Sequence, residues 1–292
     1  MRFNPKANIG SGRVSDAGSG GGGGRRMPIP TGRMAGGGGL GLVLVIIIYV
    51  VSQMMGGGGS GDNAAPGDPN AYADCRTGAD ANKSEKCARK AVALSLESFW
   101  AGQGIRGFQP APIQTFSGSV DTACGNATSA VGPFYCPGDG VIYLDPTFFD
   151  DVLEGQLGGK GGDFVEPYVL GHEYGHHIQN VTQQMRNVRT QQGENSDAVK
   201  LELQADCYAG LWTRAASSTT DDSGVRIFES IDQGDIQEAL DAAYTVGDDH
   251  IQKVAGRRVD TGQWTHGSSE QRMQWFRRGY ESGDFEACDI WR

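Results

Sequence analysis

The sequence predicts an α+β fold, mostly helical, carried behind one transmembrane helix, and three observations predict it. Apolar residues recur at helical spacing in long stretches, at 84–101, 165–185, 196–216, 236–245 and 269–280. Strand-like text is short; its best piece is 141–144 (Val-Ile-Tyr-Leu), ended by Asp145-Pro146. Residues 36–55 form an apolar run without a charge, about 30 Å long as a helix, which matches a bilayer core.

Residues 1–35 are rich in Gly, Ser and Arg and show no apolar period, so they read as a disordered leader. They hold six Lys/Arg against Asp16, a net +5, so the rest of this chain of net charge −10 carries −15. Positive charge before the apolar run, and Asp62, Asp68 and Asp74 after it, predict a single-pass protein of the cell membrane. Its N-terminus is then cytoplasmic and its main domain extracytoplasmic. A cleaved signal peptide is the alternative, but a leader of ~33 residues is long for one and no small-x-small site closely follows the run. Residues 56–73 read as a flexible Gly/Asn/Pro/Asp linker, leaving 74–292 as the folded domain. An acidic domain without a basic stripe excludes nucleic acid as a partner. All six cysteines follow the apolar run, which fits structural disulfides in an oxidising compartment, and none sits in a C-x-x-C spacing.

Within the domain, Ala88, Val92, Leu96 and Phe99 form the core stripe of helix 84–101. Residues 108–136 are rich in Pro, Gly, Ser and Thr, with short β-like pieces. Asp145-Pro146 caps a helix over 147–157, and the glycines of 158–162 make a loop into helix 165–185. Ser196 suits the N-cap of helix 196–216. Helix 236–245 turns Leu240 and Tyr244 inward, Asp248-Asp249-His250 is a polar turn, and Ser268-Ser269-Glu270-Gln271 is a capping box for helix 269–280. Met273, Trp275 and Phe276 bury one side of that last helix.

The chemistry concentrates in Gly171-His172-Glu173-Tyr174-Gly175-His176-His177. Positions i and i+4 share a helix face, so His172 and His176 can direct two imidazole nitrogens at one metal ion. Glu173 then lies where a carboxylate can act on the metal's water without binding the metal. His177 is turned away from His176 by ~100° and reads as packed rather than ligating. Helix 196–216 carries Glu202 and Asp206, again four apart, in a nearly uncharged run. A carboxylate in apolar surroundings needs a partner. Metal ligation by Glu202, and a hydrogen bond from a ligating histidine to Asp206, would supply both.

The pair His172-Glu173-x-x-His176 and Glu202-x-x-x-Asp206 resembles the gluzincin pattern. More closely, the chain resembles the neutral zinc metallopeptidase family of bacterial envelope proteins. The matching text is Ala123-Cys124-Gly125, Gly132-Pro133-Phe134-Tyr135-Cys136-Pro137, Tyr143-Leu144-Asp145, the histidine segment, Leu203-Gln204-Ala205-Asp206-Cys207 and Thr265-His266-Gly267-Ser268-Ser269. The resemblance implies a zincin-like metallopeptidase domain with a small edge-strand sheet, in which 141–144 is the edge along which an extended peptide aligns. It implies Zn²⁺ held by His172, His176 and Glu202, Glu173 as general base, and Asp206 orienting His172. His266 is the better candidate for oxyanion stabilisation and His250 the weaker. The implied activity is hydrolysis of peptide or protein substrates, with endopeptidase action the expectation. The cysteine pattern suggests Cys124–Cys136, with Cys75–Cys87 and Cys207–Cys288, among fifteen possible pairings. The competing reading is a zinc-stabilised envelope scaffold without turnover. Structural zinc sites are closed and rich in cysteine, whereas three ligands beside a free glutamate leave a position open.

Overall fold

The structure, a computed structural model, describes residues 1–19 and 65–292. The expected transmembrane run 36–55 lies outside these residues, as do 20–35 and 56–64. Among the described residues no helix is long and apolar enough to cross a membrane.

The strands among the described residues are β1 (Arg2–Phe3), β2 (Val14–Ser19), β3 (Ala65–Pro66), β4 (Ile113–Ser117), β5 (Ser119–Thr122), β6 (Gly125–Thr128), β7 (Phe134–Cys136), β8 (Val141–Leu144) and β9 (Phe228–Ser230). The helices among the described residues are α1 (Gly78–Ala81), α2 (Glu85–Ala101), α3 (Val165–Val181), α4 (Asp197–Ala216), α5 (Gln233–Thr245), α6 (Asp248–Val254) and α7 (Ser269–Ser282). The result is an α+β fold dominated by helices. A five-stranded sheet runs in the order β3-β2-β4-β8-β7, with β2, β4 and β8 parallel and the two outer strands antiparallel to their neighbours. Helix α4 packs against both α3 and α7, and β7 lies against α3.

Several helices start where their caps predict. The Ser196 side chain accepts from the Val199 N–H, and Ser268 and Gln271 form a reciprocal capping box. Helix α3 stops at Val181, before the expected 185, because the chain turns at Gln183 into a left-handed conformation (φ 63°). Helix α5 begins earlier than expected, from an Asp232 cap whose carboxylate takes the Gly234 N–H. Asp248-Asp249-His250 is the first turn of α6 rather than a loop, and the helix expected over 147–157 shrinks to one wide turn at Phe149–Glu154.

Two expectations need larger correction. Residues 1–19 are not a disordered leader: β1 pairs with β9, β2 lies between β3 and β4, and Phe3, Ala7 and Ile9 are buried. Their apolar residues are too sparse for a period, yet Phe3, Ala7 and Ile9 all join the main hydrophobic core, which periodicity does not detect. Order also precedes the expected start of the domain, since β3 pairs with β2 and Tyr72 is buried. The strand 141–144, expected at the edge, is β8 and lies inside the sheet; the edge on the side of α3 is β7. Phe134-Tyr135-Cys136 is too short for an alternation to stand out.

Close approach of α3 and α4 depends on two glycines. A methyl at Gly175 would sit 3.0 Å from both Cα and O of Ala205, and one at Gly171 would sit 3.4 Å from Ala209 Cα. Each glycine immediately precedes a histidine of the motif. The absence of side chains there lets the α4 backbone come near enough for Glu202 and Asp206 to reach the histidines. Disulfides join Cys75–Cys87, Cys124–Cys136 and Cys207–Cys288, the suggested pairing, and no cysteine is free. The last of them ties α4 to the C-terminal segment.

Candidate metal centre

On α3, one helical turn brings His172 and His176 side by side, with ring centroids 4.8 Å apart and planes at 86°. From α4, Glu202 enters between them: its Oε2 is 3.1 Å from His172 Nε2 and 3.5 Å from His176 Nε2. The three residues form one cluster with donor atoms within 4.8 Å of one another. Two donors at 2.0–2.1 Å from a tetrahedral ion lie about 3.3 Å apart, so this spacing fits zinc.

The hydrogen bonds behind the rings fix which nitrogen faces the cluster. His172 Nδ1–H donates to Asp206 Oδ1 at 2.8 Å. His176 Nδ1 is 2.8 Å from Gln179 Oε1, and the Gln179 amide nitrogen donates to Leu201 O (2.7 Å) and Gln204 Oε1 (3.1 Å). With its NH₂ committed, Gln179 can only accept from His176. Both imidazoles therefore turn Nε2 toward the Glu202 carboxylate. Such close approach in a buried site needs positive charge at its middle, either a proton on Nε2 or a bound cation. Burial works against charge on His172, yet Asp206 and Glu202 outweigh it and hold its pKa up at about 9. Burial likewise opposes ionisation of Glu202, but His176 and His266 keep its carboxyl well below the usual range.

Behind Asp206 stands a residue the sequence did not single out. Arg272 of α7 grips the carboxylate with both arms, Nε to Oδ2 at 2.8 Å and Nη2 to Oδ1 at 2.9 Å. The Tyr168 hydroxyl donates to the same Oδ1 at 2.6 Å. Asp206 is fully buried, and against that burial Arg272 and then His172 hold its pKa down at about 2. Arg272 was legible in principle: with Phe276 four and Gly279 seven residues on, it shares the buried face of α7. Gln179 carried a comparable signal, three residues after His176.

Glu173 is buried next to His172 and does not join the three donor residues. One oxygen accepts the Tyr135 N–H of β7 at 2.8 Å, and burial raises its pKa. His266 is buried in the turn before α7. Asp248 Oδ2 shapes that turn by accepting three successive backbone N–H groups, of Thr265, His266 and Gly267, at 2.7–2.9 Å. The nearby Glu202 and Asp248 raise the His266 pKa against the effect of burial. His250 lies elsewhere, bonding Leu157 O at 2.7 Å. His177 packs between Phe108, Tyr135 and Tyr174 and bonds Gln109 O at 2.7 Å.

In this α+β domain, two histidines one turn apart and a glutamate from a crossing helix form a three-donor cluster that could hold a metal ion, beside the Glu173 carboxylate. Over residues 2–291 the chain matches the family described as "Putative neutral zinc metallopeptidase", and it belongs to that family. It is 46% identical over 230 residues to an uncharacterized protein of Mycobacterium tuberculosis, covering 78% of this chain and 77% of the relative. An uncharacterized protein of Mycobacterium bovis matches to the same extent. The uncharacterized protein YpfJ of Escherichia coli K12 is 40% identical over 188 residues, 62% of each chain. No solved structure matches significantly.

Proposed function

We propose that the protein is a zinc-dependent peptidase whose ion is held by His172 Nε2, His176 Nε2 and a Glu202 oxygen. The observation that carries this reading is the donor spacing of 3.1 and 3.5 Å around one carboxylate oxygen, matched to a tetrahedral ion of short bond length. When bound, zinc supplies a Lewis acid and lowers the pKa of water to about 7.

The chain's own residues supply the rest. Glu173, with one oxygen fixed by the Tyr135 N–H and its proton affinity raised by burial, takes a proton from the attacking water and returns it to the leaving amine. His266, buried and biased toward its charged form by Glu202 and Asp248, stabilises negative charge on the substrate oxygen. The Tyr135 N–H is directed out of the sheet to Glu173 on α3, so the outer edge of β7 faces the candidate centre. An extended peptide pairing with that edge would lie across it. The three disulfides support an oxidising compartment outside the cytoplasm, with attachment to the membrane through the apolar run 36–55.

Glu173→Gln tests the assignment, because the amide keeps the acceptor for Tyr135 N–H but cannot take a proton. The variant should bind zinc as the parent does and lose peptide hydrolysis by about 10²–10⁴-fold. Undiminished cleavage of a peptide library would refute it. A purely structural zinc site is disfavoured, since three disulfides already staple the domain.

A further inference from the structure

We infer that residues 1–19 and the metal-bearing domain lie on one and the same side of any membrane the chain meets. The charge distribution along the sequence predicts the opposite. The geometry that carries the inference is the docking of the first nineteen residues. Arg2 and Phe3 pair with Ser230 and Phe228, and the Phe3 and Phe228 rings stack at 4.9 Å. Asn4 N–H donates to Ile227 O, Ile9 N–H to Arg76 O and Gly78 N–H to Ala7 O, each at 2.9 Å. The Asn82 side chain clasps the Phe3 backbone from both sides, accepting its N–H at 2.9 Å and donating to its carbonyl at 2.8 Å.

Arg76, Gly78 and Asn82 all belong to the loop closed by Cys75–Cys87. That bond forms in an oxidising compartment, so the segment docked on it resides there too. Further along, β2 is inserted between β3 and β4, with Ser19 opposite Ala65. The chain thus leaves the sheet at Ser19 and re-enters it in the neighbouring strand. One crossing between these points would tear β1 and β2 out of the domain. Two crossings need about 40 apolar residues, whereas the 45 residues 20–64 contain a single charge-free apolar stretch of twenty, 36–55. The run 36–55 therefore does not separate residues 1–19 from the domain. Positive charge in the leader does not decide the orientation, because the fold of residues 1–19 onto the domain holds them on its side.

The test uses the full chain in intact cells. All six native cysteines are paired, so a single introduced thiol reports its own position. Lys6→Cys marks the N-terminal segment and Val259→Cys the domain, both at exposed sites. Each variant is treated with a membrane-impermeant maleimide before and after permeabilisation. The two positions should behave alike, labelled or protected together, with labelled fractions within about two-fold of each other. Labelling of one position before permeabilisation and of the other only after it would overturn the inference. The outcome does not depend on whether the centre hydrolyses peptides.

Discussion

Replacing Arg272 by glutamine removes both charge-assisted contacts to Asp206, at 2.8 and 2.9 Å, while roughly keeping the buried volume. Asp206 is left as a fully buried carboxylate supported by the Tyr168 hydroxyl and His172. Breaking a buried ion pair from one side costs about 3–5 kcal/mol, since the remaining charge loses its main compensation. Folded domains are stable by only ~5–15 kcal/mol, so the loss is large. The carboxylate also becomes free to rotate away from His172 Nδ1, which should weaken zinc binding by about 10–100-fold. Urea unfolding gives the first quantity and competition with a chelator the second. The double variant Arg272→Gln/Asp206→Asn should recover part of the stability, because the uncompensated charge is gone, but none of the zinc affinity. A single variant that loses less than about 1 kcal/mol, the range of an exposed pair, would refute the idea that Arg272 secures Asp206. So would a double variant in which the two losses simply add.

Two further outcomes follow from other parts of the fold. Gly175→Ala places a methyl 3.0 Å from the Ala205 backbone, which should push α3 from α4, cost about 1–3 kcal/mol and lower zinc affinity. Denaturant midpoints and chelator competition on the variant read both effects. Glu97 is buried, accepts the Arg13 N–H at 3.1 Å, and burial lifts its pKa to about 7 from the usual 4.5. For an acid whose folded pKa is raised, the folded state holds the proton more tightly, so stability falls as pH rises from about 4.5 to 7, by at most ~3 kcal/mol. Glu97→Gln should flatten that slope in unfolding midpoints measured from pH 4.5 to 8.

The sequence made the centre legible because its residues lie on helices with regular spacing. His172, His176, Glu202 and Asp206 each stand in an i, i+4 pair, and the caps at Ser196 and Ser268 marked where the supporting helices begin. What it hid has a common physical origin. Arg272 and Gln179 are polar residues on buried helix faces, and a polar residue is read as exposed until its partner across space is known. Asp248 shapes the His266 turn from a different helix, a relation of position that no local pattern encodes. The N-terminal strands were obscured because Phe3, Ala7 and Ile9 contribute to the core one at a time, amid Gly and Arg. The order of β7 and β8 depends on which strand the helix α3 abuts, and three residues of strand text carry no sign of that.

The most direct measurement is a zinc-edge diffraction experiment on crystals of the protein soaked with zinc. It should place one ion within ~2.0–2.2 Å of His172 Nε2, His176 Nε2 and a Glu202 oxygen, with the Glu173 carboxylate outside bonding distance. An ion held by other residues, or a Glu202 carboxylate turned away from both rings while zinc is bound, would contradict the account at its centre.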